Sequence, residues 1–187
     1  MKRIVGILIC CLFLFTGCKG AQEELDSISV VKGTAFDKGK EGGYKMTACM
    51  ALSEEESGYY NVSVEADTIG GALSDLARKC ERTPFLGQNE VIVISEALAA
   101  DGIRNLIQSF FTSNRRDGSE QIVIFKGEAS EAFEMENIAS SSPPVAVKNV
   151  LASAGETSYI LRSCVSTLQA ASEGIGHTAL VPYASVH

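Results

Sequence analysis

The sequence predicts an α+β fold: a mixed sheet with an N-terminal antiparallel hairpin, later strands joined by helical crossovers, and a helical C-terminal tail. Three observations predict it. Apolar residues alternate at period two through two early segments, residues 44–52 and 60–66, as in strands with one face on a core. Two later apolar runs, residues 91–94 and 122–125, are short and continuous, as in strands buried on both faces. Segments with helical spacing precede and separate those runs, and strand–helix–strand crossovers make the strands they join parallel.

Taken in order, residues 28–36 form the first strand, and residues 37–43 a polar loop with Gly39, Gly42 and Gly43 to turn on. Tyr44, Met46, Ala48, Met50 and Leu52 then alternate with Lys45, Thr47, Cys49 and Ala51 as a second strand. Residues 53–58 are a polar turn, and the spacing of Glu54, Glu55 and Glu56 does not match a calcium loop. Tyr60, Val62, Val64 and Ala66 alternate as a third strand. Thr68 is the predicted cap of a helix in which Ala72, Leu73, Leu76, Ala77 and Cys80 recur at helical spacing, and Pro84 ends it. After the strand at 91–94, Ser95 caps a short Ala-rich turn at 96–100. Ile103, Leu106, Ile107, Phe110 and Phe111 stand at i, i+3, i+4, i+7 and i+8, the stripe of an amphipathic helix. Arg115, Arg116, Asp117 and Gly118 make a turn before the strand at 122–125. Residues 128–138 read as a helix opened by acids that suit its positive end. Ser140 to Pro144 is a linker or rigid loop, followed by helices at 145–154 and 157–173 and an extended segment at 178–183.

The N-terminus sets the compartment. Lys2 and Arg3 precede an uncharged run from Ile4 to Phe15, and Thr16-Gly17-Cys18 closes it with small residues and a thiol. This is the layout of a secretory signal peptide. The run is shorter than the about 20 residues that cross a bilayer. The ending Leu14-Phe15-Thr16-Gly17-Cys18 resembles a bacterial lipobox, with Phe15 where Leu is more usual. Cys18 is therefore the candidate lipidation site, with the diacylglyceryl group as the membrane anchor. The expected layout is a signal peptide at 1–17, the lipidated Cys and tether at 18–27, a mixed α+β core at 28–139, and a Ser/Pro loop with helical extension at 140–187.

Removing residues 1–17 takes away Lys2 and Arg3, so 14 basic and 23 acidic side chains remain, a balance of −9. That surface argues against nucleic acid and against adsorption to anionic lipid through a basic patch. Beyond Cys10, Cys11 and Cys18, the chain keeps Cys49, Cys80 and Cys164. They are odd in number, far apart and without a C-x-x-C pair, which favours free thiols over a disulfide or a metal site.

No catalytic motif stands out. The chain has no G-x-S-x-G, H-E-x-x-H, G-x-x-x-x-G-K-[ST] or G-x-G-x-x-G, and no histidine before His177. Thr68-Ile69-Gly70-Gly71 reads as a tight turn before a helix, and Arg115-Arg116 as a solvated turn beside Asp117.

Three features together resemble a known family. They are the lipobox, the segment Val31-Lys32-Gly33-Thr34-Ala35-Phe36-Asp37-Lys38-Gly39, and the block that opens Phe85-Leu86-Gly87-Gln88-Asn89-Glu90 and runs through residues 91–103. They are similar to the Ger(x)C family, the C-subunit lipoprotein of bacterial spore germinant receptors. The likeness runs from the signal to about residue 135 and is looser afterwards. Gln88 stands where many members carry His, and members are longer, so the chain reads as the family's N-terminal domain with the rest missing. The resemblance implies a non-enzymatic subunit without cofactor, working with integral-membrane A and B subunits on the outer face of the spore inner membrane. A solute-binding lipoprotein and a lipid-anchored enzyme are the alternatives.

Overall fold

The computed structural model describes residues 27–52, 58–114, 118–134, 142–156, 164, 166–168, 170 and 180–185. Its strands are β1 (Ile28–Lys38), β2 (Tyr44–Ala51), β3 (Tyr59–Ala66), β4 (Thr83–Phe85), β5 (Val91–Ser95), β6 (Gln121–Phe125) and β7 (Tyr183–Ala184). Its α-helices are α1 (Ile69–Lys79), α2 (Glu96–Ala100), α3 (Arg104–Asn114) and α4 (Pro143–Glu156). The strands make one mixed seven-stranded sheet in the order β3-β2-β1-β5-β6-β7, with β4 paired to β1. β1, β2 and β3 are antiparallel in succession. β4 and β5 both run parallel to β1, β6 parallel to β5, and β7 parallel to β6. The hairpin and the parallel later strands thus agree with the sequence pattern.

A bulge lies between Val31 and Gly33, so that Val31 opposes Met50 while Gly33 opposes Cys49. The extra residue, Lys32, lets Val31 and Phe36 share one face although five positions separate them. On that first face, Val31, Phe36, Met46, Met50, Ile92, Ile94 and Ile122 pack against Ala72 and Leu76 of α1, Leu98 of α2 and Leu106, Ile107 and Phe110 of α3. On the second, Ala35, Cys49, Val91, Val93, Val123 and Phe125 pack under a 3-10 segment (Ala129–Phe133) and Leu151 of α4. The continuous apolar runs at 91–94 and 122–125 follow from this double cover. The helix starts are local: Thr68 Oγ1 accepts from Gly71 N–H at 3.0 Å, and Ser95 Oγ from Leu98 N–H at 3.4 Å.

Several expectations need correction. The loop expected at 37–43 begins later, because β1 continues through Asp37 and Lys38. β4 was hidden by Pro84, expected to end α1: the helix already stops at Lys79 with Cys80 as its cap, and the segment around the proline extends along the first residues of β1, at a position where a missing N–H is tolerated. The helix expected at 128–138 is a five-residue 3-10 segment, with 135–138 outside the described residues. Of the linker expected at 140–144, residues 142–144 form the start of α4, and 140 and 141 lie outside the described residues. Ser142 Oγ accepts from Val145 N–H at 3.3 Å, and Pro143 takes the first helical position, where its missing N–H costs nothing. The helix expected at 157–173 falls mainly outside the described residues. Within it, Cys164 forms an isolated antiparallel bridge with Gln121, and residues 166–168 are helical.

Gly33 is required by close approach. A Cβ there would stand 2.6 Å from Pro144 Cγ and 2.8 Å from Phe133 Cζ, so these two rings rest directly on the β1 backbone. Phe110 is the corresponding anchor on the first face. It is fully buried, and its ring meets Phe36 edge-on with centroids 5.3 Å apart. Phe110→Ala should cost about 3–5 kcal/mol in urea unfolding, the range for a fully buried phenylalanine. An unchanged midpoint would mean that α3 does not close this face.

Candidate functional site

A cleft of about 310 Å³ opens where the amino ends of β5 and β6 meet the β1 bulge. Lys32, Gln88, Asn89, Glu90, Gln121 and Lys148 are among its lining residues. The bulge supplies Lys32, the approach to β5 supplies residues 88–90, and the second turn of α4 supplies Lys148. Two backbone hydrogen bonds fix the floor: Glu90 N–H to Lys32 O at 2.9 Å and Gln121 N–H to Glu90 O at 3.1 Å. Glu90 is shared between two ammonium groups, Lys148 Nζ at 2.6 Å and Lys32 Nζ at 3.7 Å, and Lys32 also donates to Gln88 Oε1 at 2.9 Å. Asn89 is buried and donates from Nδ2 to Thr34 Oγ1 at 3.3 Å, while its Oδ1 has no hydrogen-bond partner among the described residues. Glu120, also buried, lines the cleft as a second carboxylate, so two carboxylates balance two ammonium groups there, and the Glu90–Lys148 pair joins α4 to the sheet. Gln88, Asn89 and Gln121 add hydrogen-bonding carboxamides. The cleft also lies at the amino ends of the parallel strands, opposite the carboxyl ends where open α/β sheets usually place ligands.

A second polar cluster sits at the other end of β1. Asp37 projects to the second face and is buried. Its carboxylate accepts from Ala129 N–H at 2.6 Å and from Ser130 N–H at 3.2 Å, capping the 3-10 segment from across the sheet. Lys45, opposite Asp37 on β2, pairs with Glu128 at 2.7 Å. The Glu128 carboxylate holds the Lys45 ammonium above its ordinary value. Burial pushes the Asp37 carboxyl above its ordinary 3.8, against the opposing pull of the two amides and Lys45.

The thiols differ by environment. Cys49, Cys80 and Cys164 are all free. Burial pushes Cys49 up to about 12, and it lies in the second-face core as a small apolar side chain. Cys80 is raised by burial and donates to Met50 Sδ at 3.9 Å. Cys164 is lowered by the hydroxyls of Ser166 at 3.1 Å and Thr167 at 3.0 Å. Among the described residues, no group of three His, Cys, Asp or Glu side chains could hold a metal ion. Also among them, no helix is long and apolar enough to cross a membrane.

Cys18, Glu54 to Glu56 and Arg115 to Asp117 lie outside the described residues. Thr68-Ile69-Gly70-Gly71 is the helix start already described, with Thr68 occupying the Gly71 amide. The pattern reading missed Asp37, which it placed in a loop; the signal available was that alternation continues from Phe36 into Asp37 and Lys38. The grouping of Lys32, Glu90 and Lys148 had no local signal, since 58 positions separate Glu90 from Lys148.

The fold and these sites describe an α+β module in which several charged and polar side chains join its layers. The family described as "Spore germination protein N-terminal domain" matches residues 21–186, and the chain belongs to it. No curated protein and no solved structure matches the chain.

Asp37 gives a pH signature. Because its folded-state value is raised, its contribution to stability is fully present below about pH 3.8 and is lost as pH rises through the folded value. Urea titrations should therefore show the native chain losing stability relative to Asp37→Asn as pH rises above about 4. A difference that does not change with pH would mean that Asp37 titrates like an exposed carboxylate.

Proposed function

We propose that this chain is a lipid-anchored, non-catalytic subunit of a spore germinant receptor, required for nutrient-triggered germination together with integral-membrane A and B subunits. The observation that carries the reading is the position of the family match. It begins at residue 21, three positions after Cys18, so the germination domain follows directly on a signal run and lipobox. Two acyl chains hold a protein on a bilayer where one barely does, each buried methylene contributing about 0.8 kcal/mol. Confinement to the outer face of the spore inner membrane raises the effective concentration of the domain near membrane partners. Modest contacts then suffice for assembly. The absence of a catalytic motif and the internally compensated cleft support a role in holding subunits together over one in turnover.

Cys18→Ala tests the anchor. The variant should accumulate uncleaved or in the soluble fraction, and spores carrying it should germinate poorly on nutrients. A cleaved variant as membrane-bound as the native chain would contradict the lipid reading.

A further inference from the structure

Among the described residues, nothing covers an apolar row of the sheet at the end where the chain enters it. On the second face, cover stops at the row Asn61, Cys49 and Gly33. Asn61 Nδ2 donates to Phe133 O at 3.3 Å, and Phe133 and Pro144 close over Gly33. One row further out, Tyr59 pairs with Ala51, and Val30 pairs with Phe85. The bulge at Lys32 brings Val30 to this same face, beside Ala51, because Val31 opposes Met50. Tyr59 and Phe85 are each 43% exposed, and Ala51 and Val30 are half-buried. Exposed Leu52 and Tyr60 stand at the same end of the sheet, Tyr60 held by a 3.2 Å hydrogen bond to Ser29. Two tyrosines, a phenylalanine and aliphatic side chains at one end of a sheet form a surface with apolar bodies and polar tips, the chemistry found at membrane–water interfaces.

Where the chain enters says what this surface meets. β1 begins at Ile28, in the next row on the same face. Ten residue steps separate Cys18 from Ile28, a span of at most about 35 Å when fully extended. An anchor at Cys18 is therefore tethered to the domain at this end of the sheet. We propose that the row Tyr59–Ala51–Val30–Phe85, with Leu52 and Tyr60, rests on the headgroup interface of the bilayer that holds the Cys18 lipid. The proposal rests on the anchored reading above and adds an orientation to it. Charge refines the occupant. Without residues 1–17 the chain carries 14 basic against 23 acidic side chains, an acidic balance. The surface therefore suits zwitterionic lipid, and anionic lipid should weaken the contact.

The chain has no tryptophan, so one introduced indole reports alone. The processed full chain would be reconstituted in phosphatidylcholine vesicles brominated near the headgroup, as Tyr59→Trp, Phe85→Trp and, at the opposite end of the sheet, Tyr183→Trp. Emission of the first two variants should be lost to bromine quenching and regained partly when phosphatidylserine is added, while the Tyr183→Trp protein keeps its emission. Co-flotation without quenching of the first two would overturn the orientation and leave the anchor standing. Blue-shifted emission without quenching would overturn it too, and would mean that a second copy covers the row. Failure to float would overturn the anchor and the orientation together.

Discussion

β1 is hydrogen-bonded along both edges and buried on both faces through its second half, and the other elements take their positions from that strand. β2 pairs along one edge, while the other edge is divided between β4 at its start and β5 beyond the bulge. A strand so placed can afford few polar side chains, and each one present has a partner that fixes another element. Asp37 holds the 3-10 segment through the Ala129 and Ser130 amides, and Thr34 meets Asn89 beside the cleft. Gly33, without a side chain, admits Pro144 and Phe133 to the backbone. The extra residue at Lys32 does two things at once. It returns Val31 to the first-face core, and it sends an ammonium towards Glu90 and Gln88 at the cleft.

Much of this architecture was legible before any coordinates, and the divide follows a physical line. Tyr44 to Leu52 and Tyr60 to Ala66 alternate because each strand puts every second side chain into the helix-covered face. Ile103, Leu106, Ile107, Phe110 and Phe111 repeat at helical spacing because α3 has one buried stripe. Those signals are local. Elements defined by distant partners were not legible. β4 is three residues with a central proline, extended because β1 offers it an edge. The segment after β6 stays a short 3-10 turn whose cap is 92 positions away in Asp37. Ser142-Pro143-Pro144 reads as a breaker by composition and is a helix start by geometry, since capping and first-turn proline use the same residues as loops do.

The functional reading draws on both kinds of information. Membership of the spore germination family places the chain in a process, and the structure describes how its polar groups are used. The cleft's two lysines share one carboxylate, the core thiol Cys49 is silenced by burial, and the buried acid Asp37 is engaged with backbone amides. Each of these groups is committed to joining layers. A domain built in this way presents a stiff surface, and stiffness serves assembly because little order has to be imposed on binding. Under the proposed anchoring, confinement to a membrane would raise the effective concentration of that surface near partners.

The most direct measurement is affinity purification of the lipidated chain from spore inner membranes in mild detergent, followed by identification and stoichiometry of what accompanies it. An assembly subunit should bring down two polytopic membrane proteins in fixed ratio, and should lose both when detergent dissociates the complex. Recovery of the chain alone from intact, gently solubilised membranes of germination-competent spores would contradict a role in holding receptor subunits together.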